Sequence, residues 1–258
     1  MEKDKQSAFW SERLRLHGHT GWSDPNIYIY DQQERLSLIE YMLGKETIKH
    51  GMALDFGCGI GDFSKLLISY GFKVCGYDPF VRPKIKTNGF NYASNYEHIA
   101  NDVSSLDLAI SITTLDHILD ENEIQRAFAI IRKYLKPDGI FYMMEYALDS
   151  ETDRDTFALR NDYMSFRTLS QWKDLLNQAS FRILDVRPVS HPAFSPSAGY
   201  TTYIRHPLVR LRGCLSHTPF ITFWYDSLLK RYARTLIEAF PPWIQSDTSS
   251  PLKLIRCI

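Results

Sequence analysis

Three glycines within five residues, Gly57, Gly59 and Gly61, mark the stretch of this chain best suited to chemistry. Glycine takes a positive φ without strain and lets a ligand approach the main chain closely. The glycines follow a short apolar run, Met52-Ala53-Leu54-Asp55-Phe56, and precede Asp62 to Tyr70, whose apolar residues recur at helical spacing. A second apolar run, Phe72 to Tyr77, ends on Asp78. A glycine turn entering a helix offers free backbone N–H groups, and an acid about 20 residues further on suits the paired hydroxyls of a ribose. The pattern predicts a nucleoside-containing cofactor. It departs from the dinucleotide fingerprint G-x-G-x-x-G, because the third glycine comes one residue early and Asp62 stands in its place. Asp55 puts a carboxylate at the mouth of the turn, where a pyrophosphate is repelled and an ammonium group attracted. No G-K-[ST] follows, which excludes a Walker-type phosphate loop.

The run Leu54-Asp55-Phe56-Gly57-Cys58-Gly59-Ile60-Gly61 resembles the first motif of class I S-adenosylmethionine-dependent methyltransferases, and Asp78 resembles their ribose-binding acid. Leu135-Lys136-Pro137-Asp138-Gly139 resembles the turn that precedes a later strand in the same family. The resemblance covers roughly residues 50–205, although Ser180 stands where relatives carry glycine before a final helix–strand pair. It implies S-adenosyl-L-methionine as cofactor, held by Asp55, Gly57, Cys58, Gly59, Gly61, Asp78 and Pro79. Ser94, Asn95 or Tyr96 would lie near the adenine, with a plain polar loop as the alternative, and Ser111, Ile112 and Thr113 at the end of the fourth strand. The implied reaction is in-line displacement of the sulfonium methyl by a nucleophile on the acceptor. That chemistry needs alignment and exclusion of water, a base where the nucleophile arrives protonated, and no metal. His117 is the first candidate base, since imidazole titrates near neutrality, and Asp116 could orient it. Glu145 comes second, and His17 and His19 third. Structural readings stand beside these: His117 packing on the next helix, and Glu145 as a strand-end acid.

The expected fold is α/β: a Rossmann-like, seven-stranded methyltransferase sheet with helices on both faces, an N-terminal helical lid and a C-terminal helical extension. Leu106 to Ile112 and Ile140 to Tyr146 read as strands, Phe90 to Ser94 as a weaker one, and Glu121 to Lys136 and Leu169 to Ala179 as helices. Phe181 to Val186 and Gly199 to Ile204 are the expected last strands. Residues 1–50 carry two expected helices, around Phe9 to Leu16 and Asp31 to Leu43, and by resemblance form the lid; residues 51–206 form the core. Residues 207–258 form the extension, in which Trp224, Tyr225, Leu228, Leu229, Tyr232, Leu236 and Phe240 share an apolar helical face. That face suits packing on the core or on a second copy of the chain, a wall over the acceptor pocket, or an anionic membrane surface.

With 258 residues, 44% hydrophobic and 23% charged, the chain suits a soluble domain with an appendage. It has no run of about 18 apolar residues, and its first residues lack the apolar segment of a secretory signal. Cys58, Cys75, Cys214 and Cys257 are too few and scattered for a disulfide framework or zinc site, so reduced thiols and a cytoplasmic location are expected. His17-x-His19 lacks partner ligands at metal-binding spacing and is expected to face solvent. Residues 205–258 hold eight Lys or Arg against three Asp or Glu, a weak hint of an interaction surface. No Asn/Asp-Pro-Pro-Tyr/Phe signature follows the fourth strand and no basic, aromatic-interleaved stripe crosses the core, so the expected partner is a small molecule and not nucleic acid. The alternative is a non-catalytic protein that binds a partner through the same fold. The intact Gly57, Gly59, Gly61 and Asp78 favour the enzyme.

Overall fold

The computed structural model describes residues 2–21, 25–103, 105–149, 163–189 and 252–258, with positions 221, 224, 225, 227, 228 and 231 between. Its helices are α1 (Glu2–His17), α2 (Pro25–Lys45), α3 (Asp62–Ser69), α4 (Tyr96–Asp102), α5 (Glu121–Tyr134) and α6 (Leu169–Gln178). The strands are β1 (Gly51–Phe56), β2 (Phe72–Tyr77), β3 (Phe90–Ala93), β4 (Leu106–Ile112), β5 (Leu135–Leu148), β6 (Arg167–Thr168), β7 (Ile183–Pro188) and β8 (Leu252–Cys257). They form one sheet in the order β3-β2-β1-β4-β5-β8-β7, with β6 paired to the far end of β5. β1 to β5 run parallel, and β8 is antiparallel to both neighbours.

Period-two alternation builds a core on each face. Leu54 and Phe56 of β1 join the side chains of α4, α5 and α6, whereas Ala53 faces α2 and α3. Helix ends follow local chemistry. Asp120 caps α5 through the Asn122 N–H, and Arg132 and Lys133 sit in its last turn. Thr168 and Gln171 form a reciprocal capping box that starts α6. Ser180 adopts φ +61°, the left-handed region where glycine is unstrained, which accounts for glycine being usual there.

The Pro-Asp-Gly turn is absorbed into β5. Leu106 pairs with Leu135 and Leu108 with Ile140, so Lys136 to Gly139 loop out opposite Asp107, and Lys136 donates to Asp107 at 2.6 Å. A larger difference concerns the end of the chain. The strand expected at Gly199–Ile204 lies outside the described residues, and the antiparallel strand is β8, which sequence reading leaves in the extension after residue 206. Its Leu252 and Leu254 enter one core and its Ile255 and Cys257 the other. Arg256 donates two bonds to Glu46, at 2.7 and 3.0 Å, and Tyr142 donates a third, which ties β8 and β5 to the segment after α2. Burial alone would raise the Glu46 carboxyl; the Arg256 and Tyr142 bonds outweigh it and hold the group below the usual range. In the extension, positions 221, 224, 225, 227, 228 and 231 are helical, and Ile221, Trp224 and Leu228 are exposed. The rest of that stretch lies outside the described residues. No helix among the described residues is long and apolar enough to cross a membrane.

Candidate active site

Strand order reverses between β1 and β4, and in open parallel sheets ligands gather at the carboxyl ends beside such a reversal. Gly57, Gly59 and Gly61 lie there with φ of +83°, +50° and +86°. Gly57 and Cys58 donate to the Tyr77 carbonyl at 2.7 and 2.9 Å, which clasps the turn onto the end of β2. A Cβ on Gly57 would meet Thr114, and one on Gly61 would meet Ile85 and Pro83, so both are confined by the fold itself. Gly59 differs: a Cβ there would meet only the Thr20 hydroxyl, at 3.0 Å, from the segment after α1. Asp78 accepts from the N–H groups of Phe80 and Val81 through Oδ1, at 2.9 and 2.8 Å, and from Gly59 through Oδ2, at 3.1 Å. Oδ2 therefore keeps a lone pair for a further donor. Burial raises the Asp78 carboxyl above its ordinary value against the pull of those three N–H groups.

Asp55 stands beneath the turn and not at its mouth. Strand alternation puts it on the α3 face, where it is buried and accepts from the Ser64 hydroxyl at 2.6 Å. Burial pushes it up to about 7, against the Ser64 bond. Cys58 is buried, and burial raises its thiol above the ordinary value. Pro79 is exposed. Ser94 shares a hydrogen bond with His98, and Asn95 caps α4 through the His98 N–H, so both side chains are engaged with that helix.

The loop after β4 is the second half of the site. Ser111 and Ile112 are buried, and Thr113 takes φ +48° with its N–H on the Met144 carbonyl. Arg35 of α2, ion-paired with Asp31, donates to the Thr113 hydroxyl at 2.7 Å. A 3₁₀ turn, Leu115–His117, follows. Glu145, fully buried, accepts from the N–H groups of Thr114, Leu115 and Asp116 and from the Ser111 hydroxyl. It caps this turn. Burial and the neighbouring Asp116 raise its carboxyl well above normal, while the three N–H groups oppose them.

His117 Nδ1 donates to the Tyr163 carbonyl at 3.0 Å, which assigns the ring proton to Nδ1 and leaves Nε2 bare in the neutral ring. Tyr163, and not Asp116, is the group that orients the imidazole: Asp116 Oδ1 lies 3.7 Å from Nε2, beyond hydrogen-bond length. Helix α1 covers this loop. Gln6 donates to the His117 carbonyl, the Trp10 ring meets the imidazole at 4.7 Å, and Phe9 stacks on Tyr163 at 4.1 Å. Helix α2 docks on the glycine turn, with Tyr28 and Gln32 both donating to Asp62. His19 is buried, contrary to the solvent-facing expectation, because its ring stacks on Tyr28 at 3.5 Å. Burial, helped by nearby His17 and Arg13, pushes it down to about 4. No cluster of potential metal ligands occurs among the described residues.

Sequence reading missed Gln6, Trp10, Arg35 and Tyr163, all of which reach the site from distant segments without a local motif. An open groove of about 650 Å³ beside Lys173, Asn177 and Arg182 contains none of the residues above.

A parallel sheet with an antiparallel strand set beside its last member, a positive-φ glycine turn after β1 and an acid ending β2 define the Rossmann-like class that binds S-adenosylmethionine. The chain belongs to the methyltransferase-domain family, whose model matches residues 29–186. S-adenosyl-L-methionine is the cofactor of that family, and the residues present suit it: a cradle at Gly59 that any side chain would fill, and the Asp78 carboxylate beside it with accepting capacity to spare. Among solved structures, a phosphoethanolamine N-methyltransferase 2 from Haemonchus contortus, in complex with phosphomonomethylethanolamine and S-adenosylhomocysteine, is similar over 97% of this chain and 59% of its own, with a TM-score of 0.57 and 16% identity. A S-adenosylmethionine-dependent methyltransferase from Leishmania major matches over 72% and 76% (TM-score 0.53, 15% identity). The cyclopropane synthase MmaA2 from Mycobacterium tuberculosis matches over 92% and 97% (TM-score 0.51, 14% identity). This chain thus spans about 59% of the length of the Haemonchus protein, and at these identities the likeness is one of fold. No curated protein is significantly similar to the chain.

Proposed function

We propose that this protein transfers the methyl group of S-adenosyl-L-methionine to a small-molecule acceptor, at oxygen or nitrogen, by direct in-line displacement. The observation that carries the reading is the pairing, at one end of the sheet, of the glycine turn and Asp78 with a histidine whose Nε2 is bare. When bound, the cofactor supplies an electrophilic methyl carbon on a sulfonium. Gly57, Gly59 and Gly61 shape the cradle, and Asp78 Oδ2 accepts from the ribose. His117 Nε2 takes the acceptor's proton. Glu145 fixes the turn that carries His117, and Arg35 fixes Thr113 at its start. In this reading α1 and the segment through Thr20 form the lid that excludes water, because they already contact both halves of the site. A scaffold that only bound a partner would need neither the cradle nor the bare imidazole nitrogen.

Asp78→Ala should weaken S-adenosylmethionine binding by about 1.5–3 kcal/mol, the scale of hydrogen bonds to a charged group. Isothermal calorimetry measures this, and a melting curve shows whether the turn survives loss of the three N–H contacts. Unchanged affinity in a folded variant removes Asp78 from the cofactor site.

A further inference from the structure

Asp116 is fully buried, and neither of its carboxylate oxygens has a hydrogen-bond partner among the described residues. Facing Oδ1 at 3.7 Å is His117 Nε2, which in the neutral ring is also an acceptor because Nδ1 holds the ring proton. Two acceptors thus oppose each other with no hydrogen between them. A buried acceptor lacking a donor costs about 1–3 kcal/mol, and more when charged. The neighbouring groups do not relieve it. Arg167 donates through Nη1 to the Ser165 carbonyl and through Nη2 to the Ile118 carbonyl, its buried Nε makes no hydrogen bond to Asp116, and Glu145 is already served by main-chain N–H groups.

We propose that Asp116 Oδ1 and His117 Nε2 form the subsite for the acceptor's nucleophile, and that this nucleophile is a primary or secondary amine received as its ammonium ion. The inference rests on the proposed function and narrows its acceptor atom to nitrogen. Donor count separates the candidates. A hydroxyl has one hydrogen and must leave either Nε2 or Oδ1 unpaired. An ammonium with two N–H bonds serves both, since a nitrogen about 2.8 Å from each atom spans the gap. The Trp10 ring beside the imidazole points the same way, since it adds an aromatic surface of the kind that favours cations. One ammonium proton passes to Nε2, leaving a neutral amine that keeps an N–H on Asp116 and turns its lone pair from the new Nε2–H toward the methyl carbon. The new Nε2–H of the imidazolium then faces Oδ1, so the charge stays paired.

NMR of the His117 ring nitrogens, in protein saturated with S-adenosylhomocysteine, reads this subsite without turnover. The probes are methylammonium, dimethylammonium, trimethylammonium and methanol, each compared with sodium chloride at equal ionic strength. Methylammonium and dimethylammonium should shift the ring saturably. Trimethylammonium and methanol, with one donor each, should bind at least about tenfold more weakly, the worth of one hydrogen bond to a charged group. Asp116→Asn keeps the shape, removes an unpaired buried charge and should abolish the preference; should it not fold, the probe series on the unmodified protein still decides. Trimethylammonium or methanol binding as well as methylammonium overturns the inference, as does a ring silent to all four, and in either case the bound S-adenosylhomocysteine leaves the proposed function standing. A protein that binds no S-adenosylhomocysteine overturns both.

Discussion

His117→Ala should lower turnover by about 10²–10⁴-fold, the usual contribution of a positioned acid or base, with S-adenosylmethionine affinity nearly unchanged. The two effects separate because His117 lies on the turn after β4, and the proposed cofactor contacts lie on the turn after β1 and at the end of β2. The ring is anchored through Nδ1, so its orientation does not depend on bound acceptor. Removing it also frees the Trp10 contact and the Tyr163 carbonyl, so the melting temperature should be recorded beside the rates. A folded variant that turns over normally would mean that alignment alone drives the reaction and that no base is used.

Deleting residues 252–258 should abolish folding. These residues form β8, which lies between β5 and β7 and pairs with both. Leu252, Leu254, Ile255 and Cys257 are almost completely buried, and burying an aliphatic side chain is worth about 1.5–3 kcal/mol. The loss is of the order of a domain's whole stability, about 5–15 kcal/mol, before the unpaired edges of β5 and β7 are counted. Circular dichroism and gel filtration of the truncated protein would show it. A truncated chain with a normal cooperative melt contradicts the placement of β8, and Ile255→Asp offers a milder version of the same test.

The first motif is legible because its information is local: β1, the glycines, α3 and Asp78 all fall within residues 51–78, and each signals through its own residue types. The same holds for β4 and α5, whose alternation and caps lie within each element. β8 was hidden for a physical reason. A strand buried on both faces has no polar–apolar alternation to announce it, and its partners lie more than 60 residues away in sequence. Site residues divide in the same way. His117 and Glu145 could be picked out by position at strand ends, but the assignment of each to base or cap depends on Tyr163 and on three main-chain N–H groups. Charge alone puts Asp55 at the mouth of the turn. The alternation of β1 turns it under the loop toward Ser64.

Methyl transfer from S-adenosylmethionine to a small molecule is the proposed activity. Incubating the protein with methyl-¹³C-labelled S-adenosylmethionine and a pool of small-molecule acceptors, followed by mass spectrometry, tests it most directly. A low-molecular-weight product heavier by one labelled methyl should form, with release of S-adenosylhomocysteine, and should be lost in His117→Ala. Label that stays in the cofactor with every acceptor, in protein shown to bind S-adenosylmethionine, would contradict it.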